Sequence, residues 1–243
     1  MFPDFSSARV LVVGGSSGIG LATAKAFAAH GAQVTIASRN ADKVAAAVAE
    51  ASAGARGTVQ GAQIDTTRDD DVVRFFADGQ PWDHVVVSAA QTPTGQVRKL
   101  PLADAYAAFD SKFWGAYRVA RAVQIRDGGS LTLVSGFLAT RPSKASVLQG
   151  AINAAVEAIA RGLALELSPV RVNTVSPGLI ATPLWDKLDA TARQSMYDGA
   201  AASLPAKRVG QPEDVANAIL YLAGTPFSTG STVLVDGGGV IAG

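Results

Sequence analysis

Residues 10–20 read Val10-Leu11-Val12-Val13-Gly14-Gly15-Ser16-Ser17-Gly18-Ile19-Gly20, an apolar β-branched run that passes into a glycine-rich turn. Helix-forming residues follow at once, with Leu21, Ala24 and Ala28 on one face. Gly14, Gly18 and Gly20 have the spacing that lets backbone approach a pyrophosphate and lets a helix pack on its strand. A helix starting near Gly18 turns its free amides and the positive end of its dipole toward the anion. A glycine triad alone is weak evidence; the strand before it and the helix after it make it specific. Ser16, Ser17 and Ile19 complete the expected phosphate loop.

The same alternation runs outward along the chain. Val10–Val13, Gln33–Ala37, Thr58–Ile64, Asp83–Val87, Ser130–Val134, Val170–Val175 and Thr232–Val235 read as strands. They are continuous apolar runs, the pattern of strands buried on both faces. Between them Val44-Val48 and Ile152-Val156-Ile159-Leu163-Leu167 carry helical spacing. Strand and helix in alternation predict an α/β fold, a single Rossmann-type doubly wound parallel sheet of about seven strands flanked by helices. No linker divides residues 1–243, so one domain is expected, with 181–208 standing outside the rhythm as a substrate lid.

Composition narrows the function. The 243 residues are 48% hydrophobic and 17% charged, which excludes a disordered chain. Lys plus Arg number 21 against 20 for Asp plus Glu, so no basic field exists to draw nucleic acid. The absence of cysteine excludes thiolate chemistry and disulfides, and two histidines, His30 and His84, make a histidine-based metal site a poor expectation. Apolar runs stop short of the roughly 18 residues that a spanning helix needs. Met1 to Arg9 shows no secretory pattern. A cytoplasmic protein without a membrane partner or metal is expected.

The end of the second strand chooses the dinucleotide. A carboxylate there would bind the ribose 2′-hydroxyl of NAD. This chain has Ser38-Arg39-Asn40 instead. Arg39 can meet a 2′-phosphate with charge-assisted bonds and Ser38 can add another, so NADP(H) is expected over NAD(H).

With these residues in place, the chain resembles the short-chain dehydrogenase/reductase family over nearly its whole length. Gly14-Gly15-Ser16-Ser17-Gly18-Ile19-Gly20 is similar to that family's cofactor loop, with Val13 where threonine is usual. The resemblance implies that Asp65, with Thr66, contacts the adenine. It implies that Ser88, Ala89 and Ala90, where the family has Asn-Asn-Ala, line the cofactor. Ser176-Pro177-Gly178-Leu179-Ile180-Ala181-Thr182 is similar to its Pro-Gly motif, so Pro177, Gly178, Ile180 and Thr182 are expected to hold the nicotinamide end. Arg208–Ala216 and Val235-Asp236-Gly237-Gly238 match its C-terminal signatures, whose strand and helix imply a homotetramer, else a dimer.

The catalytic set departs from that pattern. The family pairs a proton-donating Tyr with a Lys four residues later, a Ser at the fifth strand's end and an Asn on an earlier helix. Aligned on Leu163-Ala164-Leu165-Glu166-Leu167, the Tyr position falls on Gln149, the Lys on Asn153, the Ser on Gly136 beside Ser135, and the Asn on Lys112. No tyrosine lies between Tyr117 and Tyr197, so a small shift does not restore the pair. Lys and Asn look exchanged between the two helices, which would return an ammonium and an amide to one pocket. Lys112 is then the candidate proton donor or ribose anchor, Ser135 the oxygen ligand, and Gln149 and Asn153 polar positioners.

His30 and His84 are expected to be structural. Leu184, Trp185, Leu188 and Met196 are expected to cover the substrate, favouring a small apolar or aromatic molecule. An NADP(H)-dependent oxidoreductase acting on a small carbonyl or alcohol is the leading expectation. A silent NADP(H)-binding sensor or structural subunit stays open, as does a non-redox enzyme on the same scaffold.

Overall fold

The computed structural model describes residues 4–242; the part of the amino-terminal reading that falls on residues 1–3 lies outside them. Seven strands form one sheet: β1 (Arg9–Val13), β2 (Gln33–Ser38), β3 (Thr58–Gln63), β4 (Trp82–Val87), β5 (Ile125–Val134), β6 (Arg171–Pro177) and β7 (Thr232–Val235). Their order is β3-β2-β1-β4-β5-β6-β7, with every neighbouring pair parallel. This is the doubly wound sheet that the alternating pattern predicts. The order reverses between β1 and β4, which opens a crevice at the carboxyl ends of those strands.

Eight helices flank the sheet: α1 (Gly18–Ala29), α2 (Ala41–Ser52), α3 (Asp69–Phe75), α4 (Leu102–Phe109), α5 (Gly115–Ala122), α6 (Val147–Glu166), α7 (Ala190–Ser203) and α8 (Pro212–Gly224). A π-helical turn, Asp110–Trp114, joins α4 to α5. Side chains alternate across β1, so its residues feed two cores. Val10 and Val12 pack with Phe27, Ile36, Ile219 and Leu220 on the face covered by α1 and α8. Leu11 and Val13 pack with Val85, Val119, Leu131 and Val156 on the face covered by α5 and α6. Each such side chain, fully buried, contributes about 1.5–3 kcal/mol.

Two strands differ from the expectation of burial on both faces. In β3 Thr58, Gln60, Gly61 and Gln63 are exposed, because it is an edge strand with β2 as its single neighbour. At the other edge, β7 alternates exposed Thr232 and Leu234 with half-buried Val233 and Val235. β5 also begins earlier than its apolar run, at Ile125, since the polar Asp127-Gly128-Gly129 segment hides its first half.

Both histidines have local structural partners. His84 Nδ1 lies 2.9 Å from Ser130 Oγ, and its ring packs against both Phe5 and Phe27, which also touch each other. His30 closes α1, with Nδ1 2.9 Å from the Ala26 carbonyl. Buried Arg171 holds the end of α8, donating to the carbonyls of Leu222 at 2.6 Å, Ala223 at 2.6 Å and Thr225 at 2.9 Å. Among the described residues no helix is long and apolar enough to cross a membrane, and no acidic or histidine cluster could hold a metal.

Candidate active site

The loop after β1 is shaped by contacts that exclude side chains. Gly14 has φ +86°, and a Cβ there would sit 2.4 Å from the Ala89 amide nitrogen. At Gly20 a Cβ would sit 2.2 Å from the Gly14 carbonyl oxygen. The loop therefore closes against the residues after β4, and Ser88 ties the same junction by donating to the Val13 carbonyl at 3.2 Å. Thr182, after β6, lies over the other side of the loop, 3.2 Å from where a Gly18 Cβ would be. Ser17 makes no side-chain cap to α1, so the first amides of that helix are left to other acceptors. A narrow glycine cradle beneath an uncapped helix start fits a pyrophosphate.

Neighbouring segments are held at the same end of the sheet. Ser16 Oγ donates to Ser38 Oγ at 3.1 Å, joining the phosphate loop to the end of β2, and Arg39 is exposed beside it. Asp65 Oδ1 accepts from the Thr67 amide at 3.0 Å and its hydroxyl at 2.7 Å. Burial would raise the Asp65 carboxyl, but the Thr67 bonds and the charges of Arg39 and Arg68 hold it below its ordinary value. Thr66 is buried, with its side chain packed on Gly115. The Pro177-Gly178 segment is clamped from two sides. The Gly178 amide donates to Val235 at 3.0 Å, and Ile180 pairs with Gly210. Ala90 is exposed at the crevice. Two open clefts of about 390 and 360 Å³ lie elsewhere, around Ser6 and Ser7 at the amino ends of the strands.

Lys112 enters the protein. It sits on the π-helical turn, which holds the residue 9% exposed against α6 and the end of β5. Its Nζ donates to the Ser135 carbonyl at 2.6 Å and to Asn153 Oδ1 at 2.7 Å. Lys112 and Asn153 thus meet directly. Burial pushes the Lys112 ammonium down to about 8, partly opposed by the negative charge of Glu157.

An ammonium has no lone pair, so Asn153 must turn Oδ1 toward Lys112 and Nδ2 away from it. Nδ2 lies 2.7 Å from the position a Gly136 Cβ would take. Gly136 has extended backbone, so its lack of a side chain is what admits the amide. Nδ2 makes no hydrogen bond among the described residues, although Asn153 is 2% exposed. Gln149, one turn earlier on α6, reaches Thr92 with Nε2 at 3.4 Å.

Ser135 is used differently from the sequence expectation. Its hydroxyl donates to Glu157 Oε1 at 2.8 Å, with the Val175 carbonyl at 3.3 Å, and so points into the protein. Its carbonyl, not its hydroxyl, holds the ammonium. Glu157 and Thr92 escaped the sequence reading. For Glu157 a signal was present, since 149, 153 and 157 are four apart and share one face of α6. In the 181–208 segment Trp185 donates Nε1 to Ile180 at 2.9 Å, Leu184 is exposed, and α7 has no fully buried side chain.

Comparison with known proteins adds relatives to this geometry. The family model described as enoyl-(acyl carrier protein) reductase matches residues 13–239. The short-chain dehydrogenase/reductase ATR9 of Stachybotrys chlorohalonatus is 32% identical, over 97% of this chain and 98% of its own. The 3-oxoacyl-[acyl-carrier-protein] reductase MabA of Mycobacterium tuberculosis is 31% identical, over 97% of this chain and 94% of its own. A crystal structure of a small-chain dehydrogenase in complex with NADPH superposes with a TM-score of 0.82 at 32% identity, covering 98% of this chain and all of the other.

Proposed function

The chain belongs to the short-chain dehydrogenase/reductase family, and from that premise we propose that it is an NADP(H)-dependent oxidoreductase whose proton donor has been rebuilt around Lys112. The observation that carries the reading is the bond from the buried Lys112 ammonium to Asn153 at 2.7 Å. A cation taken out of water is expensive unless it is paired and put to use, and buried titratable groups collect at functional sites. This one stands at the carboxyl end of the sheet, where such folds place ligands.

The cradle of Gly14, Gly18 and Gly20, with the free amides of α1, would hold the pyrophosphate; Asp65 and Thr66 would face the adenine. Ser38 and Arg39, with no carboxylate at the β2 end, favour NADP(H) over NAD(H). Ser88, Ala89, Ala90, Pro177, Gly178, Ile180 and Thr182 would line the rest. When bound, the reduced cofactor supplies a hydride to the carbonyl carbon. The chain's own residues then manage the charge on the oxygen. Asn153 Nδ2, polarised through Oδ1 by the ammonium, offers one donor, and Gln149 Nε2 offers a second. Amides do not titrate usefully, whereas Lys112, lowered to about 8, gives up a proton near neutral pH. Ser135 positions Lys112 through its carbonyl. Leu184, Trp185, Leu188 and Met196 favour a small apolar or aromatic substrate. The exposed Tyr221 of α8 and Leu234 of β7 support a homo-oligomer, and a cytoplasmic place belongs to the same proposal.

Fluorescence titration with NADPH and NADH, followed by a carbonyl panel under NADPH, tests the proposal. NADPH is expected to bind more tightly, and Lys112→Met to lower turnover about 100-fold or more while NADPH binding changes little. Tight NADPH binding with no turnover on any carbonyl would replace the enzyme with a dinucleotide-binding sensor or subunit.

A further inference from the structure

The polar stripe of α6 continues one turn beyond the residues used above. Gln149, Asn153 and Glu157 are four apart, and each reaches a different part of the site: Thr92, Lys112 and Ser135. Ser135 therefore touches both charges, its carbonyl accepting from the Lys112 ammonium at 2.6 Å while its hydroxyl donates to the Glu157 carboxylate at 2.8 Å. A hydroxyl has one proton, and spending it on Glu157 fixes the serine rotamer. The carboxylate is half-buried, so solvent weakens its field without abolishing it.

We propose that Glu157 is a positioning residue that, through Ser135, fixes the buried Lys112 ammonium and supplies its counter-charge. The other charged groups near the π-helical turn are committed elsewhere. Asp110 pairs with Arg118 at 2.9 Å, and Arg118 also pairs with Asp69. On β5, Arg126 pairs with Asp83 at 3.2 Å at the far end of the strand. Glu157 is the charge that opposes the effect of burial on Lys112. Asn153 contributes an acceptor but no charge, so it cannot take this role. The inference deepens the reaction proposed above and rests on Lys112 being its proton donor, although the charge balance is present before any dinucleotide binds.

The test follows Lys112 directly, in protein free of dinucleotide. Lysine labelled with carbon-13 at Cε is titrated by NMR, and the Lys112 signal is identified by its loss in Lys112→Arg. Glu157→Gln is expected to lower the midpoint by about one pH unit, and Glu157→Asp to restore most of it. Ser135→Ala, which removes the hydroxyl but keeps the carbonyl, is expected to shift the midpoint in the same direction by less. The same ordering is expected in the pH dependence of turnover. A Lys112 midpoint unmoved in both Glu157→Gln and Ser135→Ala overturns the proposal. A midpoint that moves in protein that reduces no carbonyl supports the charge pairing and sinks the oxidoreductase reading instead.

Discussion

At Gly136 a missing side chain decides what its neighbour can do. A Cβ there would stand 2.7 Å from Asn153 Nδ2, so the amide that binds Lys112 uses space that any larger residue would take. Gly136→Ser is therefore expected to push Asn153 off Lys112, costing about 1–3 kcal/mol of stability and most of the activity. Adding Asn153→Ala to it should recover the part of the stability lost to the clash but not turnover, because Lys112 still lacks one acceptor and the amide donor is still absent. Urea denaturation of the single and double variants checks this, and equal stabilities for wild type and Gly136→Ser would refute the packing argument. The meeting of Lys112 and Asn153 in one pocket was legible beforehand, as an expectation from the family resemblance, and the 2.7 Å bond between them agrees with it. The orientation of Ser135 was not. A hydroxyl's direction depends on Glu157, 22 positions later, and on the Val175 carbonyl of a neighbouring strand.

Elements were read well where their surroundings are symmetric and less well where they are not. The central strands have sheet on both sides and helices above and below, so unbroken apolar runs such as Val85-Val86-Val87 are what burial demands. β3 and β7 carry weaker patterns because each has a single neighbour, and edge position is a property of the sheet order rather than of the segment. The π-helical turn that delivers Lys112 likewise left no mark in the apolar spacing. Arg171 is a further element-level device, since one buried guanidinium satisfies three carbonyls at the end of α8. Arg171→Met is expected to cost about 2–4 kcal/mol, by stranding those carbonyls and fraying the helix that covers one face of the sheet. Arg171→Lys should recover a minor part, because an ammonium lacks the planar fork. The drop in urea midpoint measures both, and a loss under 0.5 kcal/mol in Arg171→Met would show that water replaces the guanidinium freely.

Across the whole molecule, two bases, half-buried His84 and buried Lys112, tie stability to pH in separate windows. Burial, with Arg171's positive charge added, takes His84 from 6.5 down to about 4. As pH falls through that interval the unfolded chain takes up a proton that the folded chain refuses, so stability is lost. The loss from this one group is about 3 kcal/mol when complete, and it is absent above 6.5. Lys112, lowered by burial from 10.5 to about 8, acts by the same sign in a higher window. Below 8 both states are protonated and the folded state bears the full cost of a buried charge. Between 8 and 10.5 the unfolded chain again holds more protons, so rising pH relieves that cost, by a similar order. Urea titrations at a series of pH values should therefore show His84→Gln flattening the slope from 4 to 6.5 and Lys112→Met flattening the slope from 8 to 10.5. Each variant should leave the other's window unchanged, because His84 lies at the start of β4 and Lys112 near the carboxyl end of β5. A Lys112→Met curve parallel to wild type above pH 8 would mean that the ammonium is hydrated in solution, which would also remove the basis for its use as an acid at neutral pH.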